Sequence, residues 1–209
     1  LSMTATPIPR SLALTVYGEL DISIIASKPK NRLPIETVIW SPNSRAQLYQ
    51  IIDDEIKLGH QVFVVCSLIE DSQNSEAKSV KKEVERLKAG EFKHRRMDIL
   101  HGKMKDEEKA EVMSRFASGE IDILVSTTVI EVGIDIPNAS VMLIEGADQF
   151  GLAQLHQLRG RVGRGQHQGY CYLIPSTSQK PSKRLRAMET TADGFKLAEM
   201  DVEIRGPGA

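Results

Sequence analysis

Runs of β-branched and aliphatic residues alternate along this chain with segments of helical periodicity, and that alternation limits the folds open to it. Seven runs have strand character: Ile22–Ala26, Ile35–Trp40, Gln61–Cys66, Arg95–Leu100, Ile121–Ser126, Ser140–Ile144 and Gly169–Ile174. Several are continuous rather than alternating, the pattern of strands covered on both faces. Between them Ser44–Leu58, Ser75–Ala89, Lys105–Ala117 and Leu152–Leu158 read as helices. Ser44 is placed to cap the first and Gly59 to end it, and Val112 and Phe116 make an i, i+4 apolar pair in the third. The spacing predicts an α/β fold, a mostly parallel sheet flanked by helices. In such sheets the active groups are expected in loops beyond the carboxyl ends of the strands. After Pro175 a polar linker leads into a basic helix. A break at Asp193–Gly194 leads into an amphipathic helix, Phe195–Ile204, so the chain is expected to close with a helical hairpin.

With 209 residues the chain is long enough to bury a core without cross-links. Apolar runs such as Val62–Cys66 are too short to span a bilayer, and no secretory signal pattern opens the sequence. Cys66 and Cys171, the two cysteines, sit inside strand-like runs and read as reduced core thiols rather than metal ligands or a disulfide framework. The opening LSMTATPIPR looks like the end of a strand entering a proline-marked turn, as in a segment of a longer protein.

The formal net charge of −1 conceals an uneven distribution. Between residues 159 and 188, Arg159, Arg161, Arg164, Lys180, Lys183, Arg184 and Arg186 are accompanied by no Asp or Glu. A cationic stretch in an otherwise acidic chain points to a specific phosphate-bearing partner, with a solvated basic helix as the plain alternative. The most informative part is Gln157-Leu-Arg-Gly160-Arg161-Val-Gly-Arg164-Gly. Three guanidiniums lie within six residues, interleaved with glycines that permit close backbone approach. Like charges repel and glycine weakens helices, so structure alone gives little reason for this run. Clamping a polyphosphate does give one, because guanidinium donors pair with phosphoryl oxygens. A second stretch, Ser126-Thr127-Thr128-Val-Ile-Glu-Val-Gly133-Ile-Asp135, follows a buried strand. Its hydroxyls can hold phosphate oxygens, and Asp135 can accept from a ribose hydroxyl.

These stretches resemble the motifs of superfamily 2 helicases. TATP at Thr4–Pro7 is similar to motif III, Thr127 to Asp135 to motif V, and Gln157 to Arg164 to motif VI. More narrowly, MTATPIPR, CSLIEDS, LHGKMK, STTVIEVGIDIPNAS, GLAQLHQLRGRVGRG and DGFKLAEMDVEIRGPG resemble, in order, the RecG family of branch-migrating DNA helicases. The transcription-repair coupling translocase shares TATPIPR, the GLAQLHQLRGRVGR block and a comparable tail. A non-catalytic nucleotide- or protein-binding module is the reading from a different class, since fold alone settles no function.

The resemblance implies a RecA-like, P-loop NTPase-like second helicase lobe over residues 21–176. Residues 1–20 would end the first lobe and carry motif III, and residues 177–209 would form part of a translocation hairpin. Arg161 and Arg164 would be arginine fingers reaching ATP across the cleft between lobes. Gln157 would help order their loop and, with Gly160, belong to the nucleotide-binding set, while Gly133 and Asp135 would touch the nucleotide or the facing lobe. Thr127 and Thr128 would track the DNA backbone, with Ser67, His101 and Gly102 adding phosphate contacts; for His101 the alternative is a turn residue making local bonds. Thr4, Thr6, Arg184 and Arg205 would couple closure to movement, against the alternative of a hairpin that merely packs on the lobe. ATP and Mg²⁺ would be held mainly by an N-terminal lobe, and this chain would supply no metal ligand. The partners implied are branched or duplex DNA and the first lobe and wedge domain of the same protein. The setting implied is a monomer in the bacterial cytoplasm, associated with the nucleoid, with no membrane contact. Neither GxxxxGK[ST] nor a DExx box occurs in the chain. Both are parts this chemistry requires, so the chain alone is expected to be inactive.

Overall fold

The computed structural model describes residues 33–67, 75–127 and 136–205. The expected strand Ile22–Ala26 lies outside them. Six strands form one sheet in the order β1-β6-β5-β2-β4-β3, and every adjacent pair is parallel. In chain order these are β1 (Glu36–Ile39), β2 (Gln61–Cys66), β3 (Met97–Leu100), β4 (Ile123–Ser126), β5 (Ala139–Glu145) and β6 (Tyr170–Ile174). The helices are α1 (Arg45–Lys57), α2 (Ser75–Lys88), α3 (Asp106–Ala117), α4 (Leu152–Arg159), α5 (Lys183–Thr190) and α6 (Gly194–Arg205).

Continuous apolar runs became the strands covered on both faces. Every residue of β2, β4 and β5 is buried, whereas β1 at one edge alternates between exposed and half-buried positions. Strand pleating sends successive side chains to opposite faces, which divides the core in two. Phe63, Val65, Leu124, Met142, Ile144, Cys171 and Leu173 face α3, α4 and the α5–α6 hairpin. Val62, Val64, Cys66, Ile123, Val125, Val141, Leu143 and Tyr172 face α1 and α2. Both cysteines are buried and unpaired, and burial pushes each thiol up to about 12, which leaves them as inert thiols.

Helix ends follow local chemistry, with one correction. Ser44 does not cap α1: its side chain makes no capping hydrogen bond. Pro42 starts a short 3-10 turn over Pro42–Ser44, so Ser44 is already wound in, and Ser41 supplies the capping oxygen to the Asn43 amide at 3.3 Å. Gly59 ends α1 as expected, at φ +89°, where its amide donates to the Ile56 carbonyl. Strands β3 and β4 start later than the apolar pattern suggested. Arg95 is drawn to Asp53 at 2.7 Å, and Arg96 and Asp122 pair with each other at 2.6 Å. The Arg96 carbonyl still accepts the Asp122 and Ile123 amides at 2.9 and 3.1 Å, so this ion pair sits where the two strands first meet.

Asp193 caps α6 by accepting the Phe195 amide at 2.9 Å. The hairpin packs on the lobe through Leu185, Met188 and Leu197. Glu189 also reaches the sheet, where its carboxylate accepts the Ile39 amide at 2.7 Å on the edge strand.

Phe116 carries much of the packing of α3, fully buried with its ring edge-on to Phe63 at 4.8 Å. We expect Phe116→Ala to destabilise the chain by about 3–5 kcal/mol in urea unfolding, the range for deleting a large buried aromatic.

Candidate nucleotide and nucleic-acid sites

In a parallel sheet the helix after a strand must return the chain to the amino edge before the next strand begins. Helix α4 does this between β5 and β6, so the arginine-bearing loop that follows it lies at the amino ends of the strands. The sequence expectation placed active groups at the carboxyl ends; for Arg161 and Arg164 the structure reverses it.

The loop is fixed closely to the start of β5. Gly163, at φ +64°, donates its amide to the Ala139 carbonyl at 3.1 Å. A side chain on Gly165 would meet the Pro137 carbonyl oxygen at 2.6 Å, so only glycine fits there. Arg164 sits between these two glycines, exposed, with its Nε donating to the Gly160 carbonyl at 3.0 Å. Arg161 is half-buried and its amide donates to the Leu158 carbonyl. Gln157 is half-buried on the last turn of α4, and Gly160 is the residue on which that helix ends. Pro137 directly follows the stretch that holds Gly133 and Asp135, which themselves lie outside the described residues.

Arg159 leaves the trio expected from sequence. It is 5% exposed and donates to the Met188 carbonyl at 2.8 Å, the Thr191 carbonyl at 3.0 Å and the Thr37 hydroxyl at 3.3 Å. Its second terminal nitrogen lies 3.0 Å from His156 Nδ1. Burial holds this guanidinium below its ordinary value, and neutral acceptors at the end of α5 take the place of water. Arg159 is therefore a tie between α4 and the hairpin, and only Arg161 and Arg164 remain of the expected phosphate clamp.

The expected nucleic-acid residues gather at the opposite edge. Ser67, Thr127 and His101 follow β2, β4 and β3, which are neighbours in the sheet. The Thr127 amide donates to the Leu100 carbonyl at 3.3 Å. Its hydroxyl and His101 Nδ1 are buried without hydrogen-bond partners among the described residues. The Gly102 amide, expected to meet phosphate, is taken by the Glu76 carboxylate at 2.7 Å. Thr128, Thr4 and Thr6 lie outside the described residues. Arg205 ends α6, and Arg184 is half-buried, donating to the Asp148 carbonyl at 2.6 Å.

Sequence reasoning missed an ionic network beside this edge. Glu145, buried at the end of β5, accepts Arg45 at 2.9 Å and Arg86 at 2.7 Å, while Arg86 also pairs with Glu83 at 2.5 Å. Burial pushes the Glu83 carboxyl above its ordinary value. The available signal was the single carboxylate closing the apolar run ASVMLIE. Among the described residues no group of three or more His, Cys, Asp or Glu could hold a metal ion, and no helix is long and apolar enough to cross a membrane.

An all-parallel six-stranded sheet covered by helices, with its arginine loop seated against the start of β5, is a RecA-like helicase lobe. The chain belongs to the helicase conserved C-terminal domain family, whose pattern matches residues 43–166. Over its full length it is 50% identical to the ATP-dependent DNA helicase RecG of Aquifex aeolicus and 45% identical to that of Bacillus subtilis. It spans 27% and 31% of those two proteins, so it corresponds to under a third of each. A solved structure of RecG bound to a three-way DNA junction superposes with a TM-score of 0.80 at 44% identity, over 98% of this chain and 27% of that one. The Mycobacterium smegmatis helicase Lhr shares the fold, at TM-score 0.58 and 18% identity over 92% of this chain and 26% of Lhr.

We expect Arg159→Met to cost about 1–3 kcal/mol, because carbonyls at the end of α5 lose a buried donor. Amide hydrogen exchange should quicken across Lys183–Thr190, and unchanged exchange there would show that the tie is dispensable.

Proposed function

We propose that this chain is the second motor lobe of an ATP-dependent DNA helicase that acts on branched DNA in recombination and repair. Residues 21–176 form the lobe, residues 1–20 the end of the first lobe and a linker, and residues 177–209 part of a translocation hairpin. The observation that carries the reading is the placement of Arg164, exposed between two glycines whose backbones are fixed at the start of β5. A rigid base under a guanidinium that reaches outward suits a group that must meet a phosphate held by another domain. Identities of 45–50% to proteins named RecG support this family over the transcription-repair coupling translocase.

The donor set fits the phosphate end of a nucleotide: guanidinium N–H groups accept no metal but pair with anionic oxygens. ATP bound to the first lobe, with its Mg²⁺, supplies the phosphoryl group to be transferred. Arg161 and Arg164 approach it as the lobes close and stabilise the charge that develops on its oxygens. Gln157 and Gly160 hold the start of their loop, and Gly133 and Asp135 contribute from the neighbouring stretch. Ser67, His101 and Gly102 at the carboxyl edge meet the DNA backbone, joined by Thr127 and Thr128 once the buried Thr127 hydroxyl is uncovered, a grip on phosphates that tolerates sequence and weakens with salt. For the Gly102 amide to join it, Glu76 must let go. Arg184 and Arg205, with Thr4 and Thr6, pass closure to the hairpin and so to the DNA. The working protein is a monomer in the bacterial cytoplasm at the nucleoid, with a wedge domain that meets the junction.

In the full-length protein, Arg161→Ala or Arg164→Ala should lower DNA-stimulated ATP hydrolysis by about 10³-fold or more, the scale of an arginine finger, with unchanged thermal unfolding. Activity retained within tenfold in both variants would overturn the assignment and favour a non-catalytic binding module. The isolated chain should show no ATP hydrolysis, and turnover by the pure chain would refute the two-lobe mechanism.

A further inference from the structure

We infer that His167 and His60 form a tilted ring pair that positions the arginine loop for catalysis. The inference rests on the role proposed above for Arg164. Beyond Arg164 the loop is pinned at Gly165 and again at Gly169, and His167 lies in the span between these pins. Gly165 and Gly169 bracket it, and glycine leaves a backbone soft unless contacts fix it. At its base the loop is pinched: a side chain on Gly169 would come within 2.8 Å of Gly163 Cα, so the two backbones cross almost in contact. Between the brackets, the Gln168 side chain donates to the Pro34 carbonyl at 2.6 Å, and the His167 ring lies against the ring of His60. The centroids are 4.3 Å apart and the planes are tilted by 40°.

His60 belongs to the frame rather than the loop. It follows Gly59 at the end of α1 and leads directly into β2. Its backbone amide donates to the Glu55 carbonyl at 3.1 Å, and its Nδ1 lies 2.7 Å from Glu55 Oε2. The same carboxylate oxygen accepts the Ser140 hydroxyl at 3.1 Å. An ionised carboxylate only accepts, so Nδ1 carries the proton and the ring plane is set from α1 and β5 together. The imidazole of His60 is thus a fixed platform, and His167 is the exposed ring that rests on it.

This contact lies outside both hydrophobic cores. Its effect falls on the loop, three residues beyond Arg164. Transition-state contacts lose their value steeply as geometry loosens, so a ring that holds the loop still acts on the chemical step more than on substrate binding. His167 touches no reacting atom in this account; it acts through Arg164 as a positioning residue.

The test uses the full-length helicase, with steady-state DNA-stimulated ATP hydrolysis measured for His167→Ala, His167→Phe and Arg164→Ala. His167→Ala should lower kcat about fivefold while KM for ATP and thermal unfolding stay unchanged, the pattern of a loosened catalytic group. His167→Phe, which keeps a flat ring over His60, should restore most of the loss. An unchanged kcat in His167→Ala, or a loss that phenylalanine fails to recover, overturns the inference while leaving the arginine assignment intact. If Arg164→Ala itself hydrolyses ATP normally, the assignment fails first and the positioning role fails with it.

Discussion

Burial of the sheet on both faces is the constraint from which the rest of this structure follows. With β2, β4 and β5 buried along their whole lengths, no face is left for chemistry. An unpaired polar group placed there would cost more than a typical contact returns. Functional groups are therefore driven to the two ends of the strands. The parallel connections then decide which end receives which motif. A residue at the close of a strand emerges at the carboxyl edge, and a residue at the close of the returning helix emerges at the amino edge.

That rule separates two chemistries that lie close together in sequence. Thr127 follows β4 and so lies at the carboxyl edge, whereas Arg164 follows α4 and lies at the amino edge. The same connections explain the split within the arginine run. Arg159 still lies on the helix and points into the seam with α5, where carbonyls await it. Arg161 and Arg164 lie past the helix end.

Much of this was legible in the sequence because the fold depends on patterns that sequence displays directly. The continuous runs gave the covered strands, and the Gln61–Cys66 span was read to the residue. The arginine run stands out in the sequence because arginine and glycine in such a mixture have few structural uses, although Arg159 proves to have one. What the sequence did not disclose were facts of pairing across the chain. Nothing local to Arg95 and Arg96 shows that Asp53 and Asp122 are their partners. Ser44 looks like a cap until Pro42 winds the turn before it. Arg159 is indistinguishable from its neighbours until the end of α5 is brought against it. Glu145 gave only the weak signal of one acid after an apolar run, because both of its arginine partners lie far away in sequence.

The bond from Glu189 to the Ile39 amide bears on how the outer strand of the sheet is finished. An outermost strand offers a row of unmet amides and carbonyls, and another chain can add itself to that row. Here a carboxylate from the hairpin takes up one of those amides, beside Val38, which is 37% exposed. The hairpin thus serves as a selvedge. Were it to swing away, the lobe would briefly offer an unfinished border to any neighbour with a strand to lend.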